Sequence, residues 1–184
     1  MDQRASRPQG EATHDHGSFK DRVRAEAAYQ SAMDLSFDSE RTAYHNLRDF
    51  QGTSLVQYYR SATLVLPADS RAFTPHVALF EYVPGQNLHD VDPTSISGPL
   101  AQTLIDTVSA FDRLGVIHDD IRPENILFYT PAEGPMRALI IDFGSAGTRE
   151  DDCSEENWRD FVGKYDDVGS LIKVLDRARM RWSS

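Results

Sequence analysis

The feature that most constrains this chain is the stretch Val116-Ile117-His118-Asp119-Asp120-Ile121-Arg122-Pro123-Glu124-Asn125-Ile126-Leu127. An apolar pair runs into His118, Asp120 sits two residues on, and Asn125 follows five after that. Seventeen residues beyond Asn125, a second apolar run, Leu139-Ile140-Ile141, delivers Asp142 onto Phe143-Gly144. Short apolar runs bounded by turn residues read as buried strands, so the oxygen-bearing side chains sit on turns beside strands. Asp-Phe-Gly alone means little, and so does His-x-Asp. The order of the parts discriminates: helix, glycine stop, strand, His-x-Asp-x-x-x-x-Asn, hairpin, and a strand ending in Asp-Phe-Gly.

The surrounding periodicities supply those parts. Leu100, Leu104, Ile105, Val108, Phe111 and Leu114 follow helical spacing over 100–114, and Gly115 then supplies a C-terminal stop. Ile126–Tyr129 and Ala138–Ile141 read as a hairpin across a Pro- and Gly-containing loop. Upstream, 19–33 is charged, alanine-rich and helical in pattern. Ser36, Asp38 or Ser39 can cap a helix over about 39–50, with Ala43, Tyr44, Leu47 and Phe50 as its apolar stripe. Glu40 shares that stripe's face. It is either a buried carboxylate wanting a cation or a first-turn acid favoured by the helix dipole. Leu55–Tyr59, Ala62–Leu66 and His76–Val83 read as strands, with Pro84-Gly85 breaking the last. After Gly144 a small, acidic loop over Thr148–Glu156 precedes helices at Glu155–Val162 and Tyr165–Met180. Trp158 and Phe161 have the spacing of packing residues.

Composition narrows the classes. Apolar content of 40% marks a globular chain, and 184 residues suffice for a real core. A net charge of −10 argues against nucleic acid or an anionic membrane as the main partner. The polar N-terminus, with no apolar run near ~18 residues, predicts no signal peptide or membrane span and a soluble, cytoplasmic protein. Residues 1–17 read as a disordered lead-in, where His14 and His16 make a poor metal cage. The single Cys153 forms no internal disulfide. Only Lys20, Lys164 and Lys173 are lysines, so any required lysine has few candidates.

With these residues in place, the chain resembles the protein-kinase catalytic loop and metal-binding turn, His-Arg-Asp-Leu-x-x-x-Asn and Asp-Phe-Gly. The match runs from about Phe37 to Asp142, more loosely to Leu175, and its wording is similar to that of divergent kinase-like proteins of filamentous fungi. The resemblance implies an α+β, abbreviated two-lobe protein-kinase-like fold. A reduced N-terminal lobe at 18–83 carries a small sheet, and a mainly helical C-terminal lobe occupies 84–184. It also implies ATP and Mg²⁺ as cofactors, and phosphoryl transfer to a hydroxyl of a protein (Ser/Thr) or a small molecule. Asp120 would accept the hydroxyl proton. Asn125 and Asp142 would ligate the metal, and Arg122 would stand for the phosphate-facing lysine. Glu81 to Val83 would be the hinge that pairs with adenine. Glu40 would grip a nucleotide-binding lysine, and His118 would be a hydrogen-bonding post. That lysine can only be Lys20, twenty residues before Glu40. Lys20 equally fits a solvated charge, since Phe19-Lys20-Asp21-Arg22 is a poor strand.

The sequence also departs from the family's pattern. No glycine-rich strand-flanked lid is expected before Lys20. Asp119 replaces the arginine of His-Arg-Asp, removing the usual receptor for an activation-loop phosphate, and its side chain is expected to face solvent. No Ala-Pro-Glu follows, and Asp166–Leu171 only faintly resembles the helix whose Asp braces the catalytic loop. The expected chain ends at Ser184 without the final helical bundle. These departures leave a second class open, a pseudokinase or truncated remnant acting as a binding module. Substrate and oligomeric state are not legible.

Overall fold

The computed structural model describes residues 19–65, 67 and 74–182. The expectations for residues 1–17, including His14 and His16, lie outside them, as does Leu66. Helix α1 runs unbroken from Phe19 to Asn46. The cap expected at Ser36, Asp38 or Ser39 does not form, because no Gly or Pro interrupts 33–40; Ser36 lies against Gly144 and Asp38 faces solvent. Asp38 instead pairs with Arg41 at 3.0 Å, one helical step along. The stripe ends in a 3₁₀ turn at Arg48–Phe50.

Where two strands were expected over 55–66, one forms, β1 at Tyr58–Thr63. Leu55 and Val56 are core anchors instead. β1 pairs antiparallel with β2, His76–Phe80, through a register irregularity between Tyr58 and Arg60. β2 stops before Glu81, so 81–83 is a connecting segment and not strand. A short β3 at Gln86–Asn87 pairs with β5, Ile126–Tyr129, which forms the expected hairpin with β6, Arg137–Ile140.

Helix α2, Gly98–Phe111, begins at Ser97, whose hydroxyl accepts from the Leu100 N–H at 3.3 Å, and continues as a 3₁₀ turn to Leu114. Gly115 stops it at φ +71°, a left-handed conformation that costs a residue with Cβ. β4 at Val116–Ile117 follows and pairs with β7, Gly147–Thr148. The acidic segment after Gly144 is thereby tied down. Arg149 binds Glu155 at 2.6 Å and the Cys153 carbonyl at 3.0 and 3.2 Å.

Helix α3 spans Glu155–Val162 and α4 spans Asp167–Trp182. Trp158 is buried and donates its indole N–H to the Asp112 carbonyl at 2.8 Å, a packing role. One core joins α1, α2, α4 and the β5–β6 hairpin, through Ala43, Leu47, Leu104, Phe111, Ile126, Ile140, Phe143 and Leu171.

Candidate active site

The chemistry-bearing side chains sit on the turns that this core fixes. β4 carries the chain into His118, which is fully buried. Its Nδ1 accepts from the Asp120 N–H at 3.2 Å, so Nε2, 3.0 Å from the Ile141 carbonyl, carries the proton and donates. Burial pushes its pKa down, opposed by that carbonyl and by Asp167, Asp120 and Asp142. A neutral ring with both nitrogens engaged is a post, consistent with the expectation.

Asp119 and Asp142 both adopt left-handed backbone, at φ 58° and 67°. Asp tolerates this conformation better than most residues, and functional turns often hold it. Asp119 is exposed, as expected. Asp167 accepts from the backbone N–H groups of His118 at 2.6 Å and Asp119 at 3.1 Å. Of the two acids at the start of α4, Asp167 is therefore the brace, while Asp166 caps its own turn by accepting from the Gly169 N–H.

Asp120, Arg122, Asn125 and Asp142 come together. The Asn125 amide donates to the Asp120 carbonyl at 2.9 Å and to its carboxylate at 3.0 Å. That fixes the flip of the amide and leaves Asn125 Oδ1 free to accept or ligate. Arg122 Nε lies 3.2 Å from Asp120, and its Nη2 lies 3.8 Å from Asp142, so one guanidinium spans both carboxylates. Phe143 anchors the Asp142 turn. Its fully buried ring packs on His118 at 4.6 Å, Tyr44 at 5.3 Å and Phe111 at 5.7 Å. Gly144 passes so close to α1 that a Cβ there would meet Ser36 Oγ at 2.5 Å.

Beside this cluster a cleft of about 360 Å³ is lined by Glu40, Tyr44, Phe80, Leu127, Ile141 and Asp142, with Glu81–Val83 along its rim. Its size and its apolar walls with acids at one end suit a flat heterocycle joined to a charged group. Among the described residues neither the Glu81 carbonyl nor the Val83 N–H has a backbone partner. Sequence reasoning named Glu40, Glu81, Val83 and Asp142 but missed the apolar walls. The approach of β2 and α1 creates them, and no spacing encodes it.

Lys20 is not part of this site. It and Glu40 lie on one continuous helix, twenty residues apart, which puts them about 30 Å apart at 1.5 Å per residue. The expected ion pair between them is corrected accordingly: the segment is helix, and no strand brings Lys20 alongside α1. Glu40 therefore faces Asp142 with no ion-pair partner among the described residues. Burial first, and then Asp142, raise its pKa, with the Phe143 backbone amide partly offsetting them.

The donors test the implied cofactors. No group of three or more His, Cys, Asp or Glu among the described residues could hold a metal unaided. Two side-chain oxygen donors, those of Asn125 and Asp142, beside a cleft would suit Mg²⁺, which keeps most of its shell as water and phosphate oxygens. The residues thus fit a magnesium nucleotide and not a bare metal.

Fold and site together define a protein-kinase-like fold of mixed α and β structure. No protein-family model matches the chain. The chain is similar over 93% of its length to the Rio2 kinase of Chaetomium thermophilum, with a TM-score of 0.57 at 15% identity, covering 47% of that chain. A second structure of the same kinase, in an ADP/Mg²⁺-phosphoaspartate complex, gives 0.54 at 18% over 92% of this chain and 46% of that one. Among curated proteins, homeodomain-interacting protein kinase 2 of Mesocricetus auratus is 38% identical over 61 residues, 33% of this chain and 5% of that protein. Serine/threonine-protein kinase pkn2 of Myxococcus xanthus is 35% identical over 81 residues, 41% of this chain and 10% of that protein. The chain therefore spans a small part of these curated relatives and under half of the structural ones. Among the described residues no helix is long and apolar enough to cross a membrane.

Proposed function

We propose that the chain binds ATP with Mg²⁺ in the cleft at Glu81–Val83 and transfers a phosphoryl group to a hydroxyl, first of all a protein Ser or Thr. The observation that carries this reading is the convergence of Asp120, Arg122, Asn125 and Asp142 on one face beside the cleft. Val83 N–H and the Glu81 carbonyl offer a donor and an acceptor to adenine. Asn125 Oδ1 and the Asp142 carboxylate hold the cation, which neutralises phosphate charge when bound. Arg122 leaves its carboxylates for a phosphate oxygen. Asp120, oriented by Asn125, takes the proton of the attacking hydroxyl as the new P–O bond forms and the bond to the departing diphosphate breaks. Positioning and electrostatics supply nearly all the catalysis in this reaction class.

A second reading, a pseudokinase that binds nucleotide or protein without turnover, is favoured by one observation. Among the described residues Glu40 has no ion-pair partner, and no Lys or Arg lines the cleft.

A thermal-shift titration with ATP, with and without Mg²⁺, tests the common step. A Mg-dependent rise in Tm is expected, absent in Asp142→Ala. No shift at millimolar ATP would sink both nucleotide readings. Turnover on protein and small-molecule hydroxyl acceptors, lost in Asp120→Asn, then separates enzyme from binding module. A shift without turnover supports the pseudokinase.

A further inference from the structure

The chain carries a formal charge of −10, yet a hollow in its surface gathers three arginines and a histidine with no carboxylate in its lining. It lies between α1 and β1, encloses about 570 Å³, and is walled by Arg41, His45, Arg48 and Arg60 with the rings of Tyr44 and Tyr58. The other three lining residues are neutral hydrogen-bonding side chains. Arg41, His45 and Arg48 recur four and three residues apart, so α1 and the turn after it present them on one stripe. Arg60 reaches the same hollow from β1, held in register opposite Leu79.

The local acids do not neutralise this cluster. Asp38 lies 3.0 Å from Arg41 and Asp49 3.9 Å from Arg48, but both pairs are more than half exposed and neither acid lines the hollow. Such surface pairs are readily exchanged for a better anion. Among the described residues Arg60 and His45 have no ion-pair partner.

Guanidinium forks match the oxygens of a phosphoryl group, and three arginines line this one hollow. Tyr44 and Tyr58 stack at 5.6 Å and give the hollow an apolar wall, and its volume far exceeds that of a lone tetrahedral anion. The strongly negative remainder of the molecule repels a polyanion such as nucleic acid or an anionic bilayer.

We propose that this hollow binds a phosphorylated side chain on a segment of another polypeptide. The phosphoryl group sits on Arg41, Arg48 and Arg60, and an apolar neighbour packs on the half-buried Tyr58 ring, with the buried Tyr44 behind it. The site is separate from the cleft described above. Tyr44 is the one residue that lines both, and the proposal stands whether or not the cleft turns over nucleotide.

Fluorescence anisotropy on the full chain tests it, with a labelled peptide bearing one phosphoserine between two phenylalanines and its unphosphorylated twin. The phosphopeptide is expected to bind roughly tenfold tighter or more, and less tightly as salt rises. Arg48→Gln and Arg60→Gln, both at exposed positions, should each weaken it several-fold, whereas Arg113→Gln, outside the hollow, should not. Inorganic phosphate should displace the peptide only far above the peptide's own Kd. Equal affinity for the two peptides, or full binding by both hollow variants, overturns the proposal. Displacement by phosphate at the peptide's own concentration overturns the peptide as occupant and leaves a free-phosphate site.

Discussion

Asp167, the first residue of α4, accepts a 2.6 Å hydrogen bond from the backbone N–H of His118, forty-nine positions earlier in the chain. The same carboxylate takes the next N–H, that of Asp119, at 3.1 Å. One side chain thus satisfies two successive donors in a loop whose backbone enters the left-handed region, and it couples the turn that carries Asp120 to the helical core.

Removing that acceptor should cost stability and order in the loop together. Asp167→Ala orphans both N–H groups, and a hydrogen bond to a charged group is worth about 1.5–3 kcal/mol. Urea denaturation should show a loss in that range, and Asp167→Asn, which keeps an acceptor, a smaller one. Asp167→Ala should also lower Mg-dependent ATP binding, although Asp167 touches neither cleft nor cation.

The raised pKa of Glu40 makes stability depend on pH in a definite direction. With its folded value above the unfolded one, Glu40 adds stability that is fully present below its ordinary pKa of 4.5 and is lost as pH rises through the raised value. Replacing it by Gln removes this dependence. Denaturation at pH 4 and pH 7 should show Glu40→Gln gaining on the wild type as pH rises.

His118 acts in the opposite sense. Its folded pKa lies below the unfolded 6.5, so the unfolded chain binds the extra proton first. Stability is complete above about 6.5 and declines as pH falls below it, until the folded value is reached. His118→Gln, which can still donate to the Ile141 carbonyl, should flatten the stability profile between pH 7.5 and 5.5.

The grouping of Asp120, Arg122, Asn125 and Asp142 was legible from the sequence because it is local: the first three fall within six residues, and Asn125 and Asp142 flank the paired strands β5 and β6. The β5–β6 hairpin, α2 and the Gly115 stop were legible for the same reason. The relations that failed were long-range. The polar run at Ser36–Ser39 reads locally as a cap, but tertiary packing of Tyr44 and Leu47 extends α1 through it. Lys20 has the right separation from Glu40 along the sequence, and a helix converts that separation into distance. The cleft walls and the arginine hollow each need elements whose approach no periodicity records, whereas the Asp167 brace, equally long-range, was visible only through the family resemblance at Asp166–Leu171.

The contact of Gly144 with Ser36 gives a prediction specific to one pair. A Cβ at Gly144 would meet Ser36 Oγ at 2.5 Å, and Asp142 Oδ1 at 3.4 Å, so the collision lies almost wholly with the serine hydroxyl. Gly144→Ala must turn the Ser36 hydroxyl aside or shift α1 against the Asp142 turn, and overpacking of this kind costs up to about 1–3 kcal/mol. Ser36→Ala deletes the oxygen and leaves Cβ, which stands at 3.8 Å, ordinary contact. Most of the Gly144→Ala cost should therefore vanish in the double variant, a coupling measurable in a denaturation cycle. Additive losses would mean that the turn, and not α1, limits residue 144. Because Asp142 rides on the same turn, Gly144→Ala should also weaken Mg-dependent ATP binding, and Ser36→Ala should restore it.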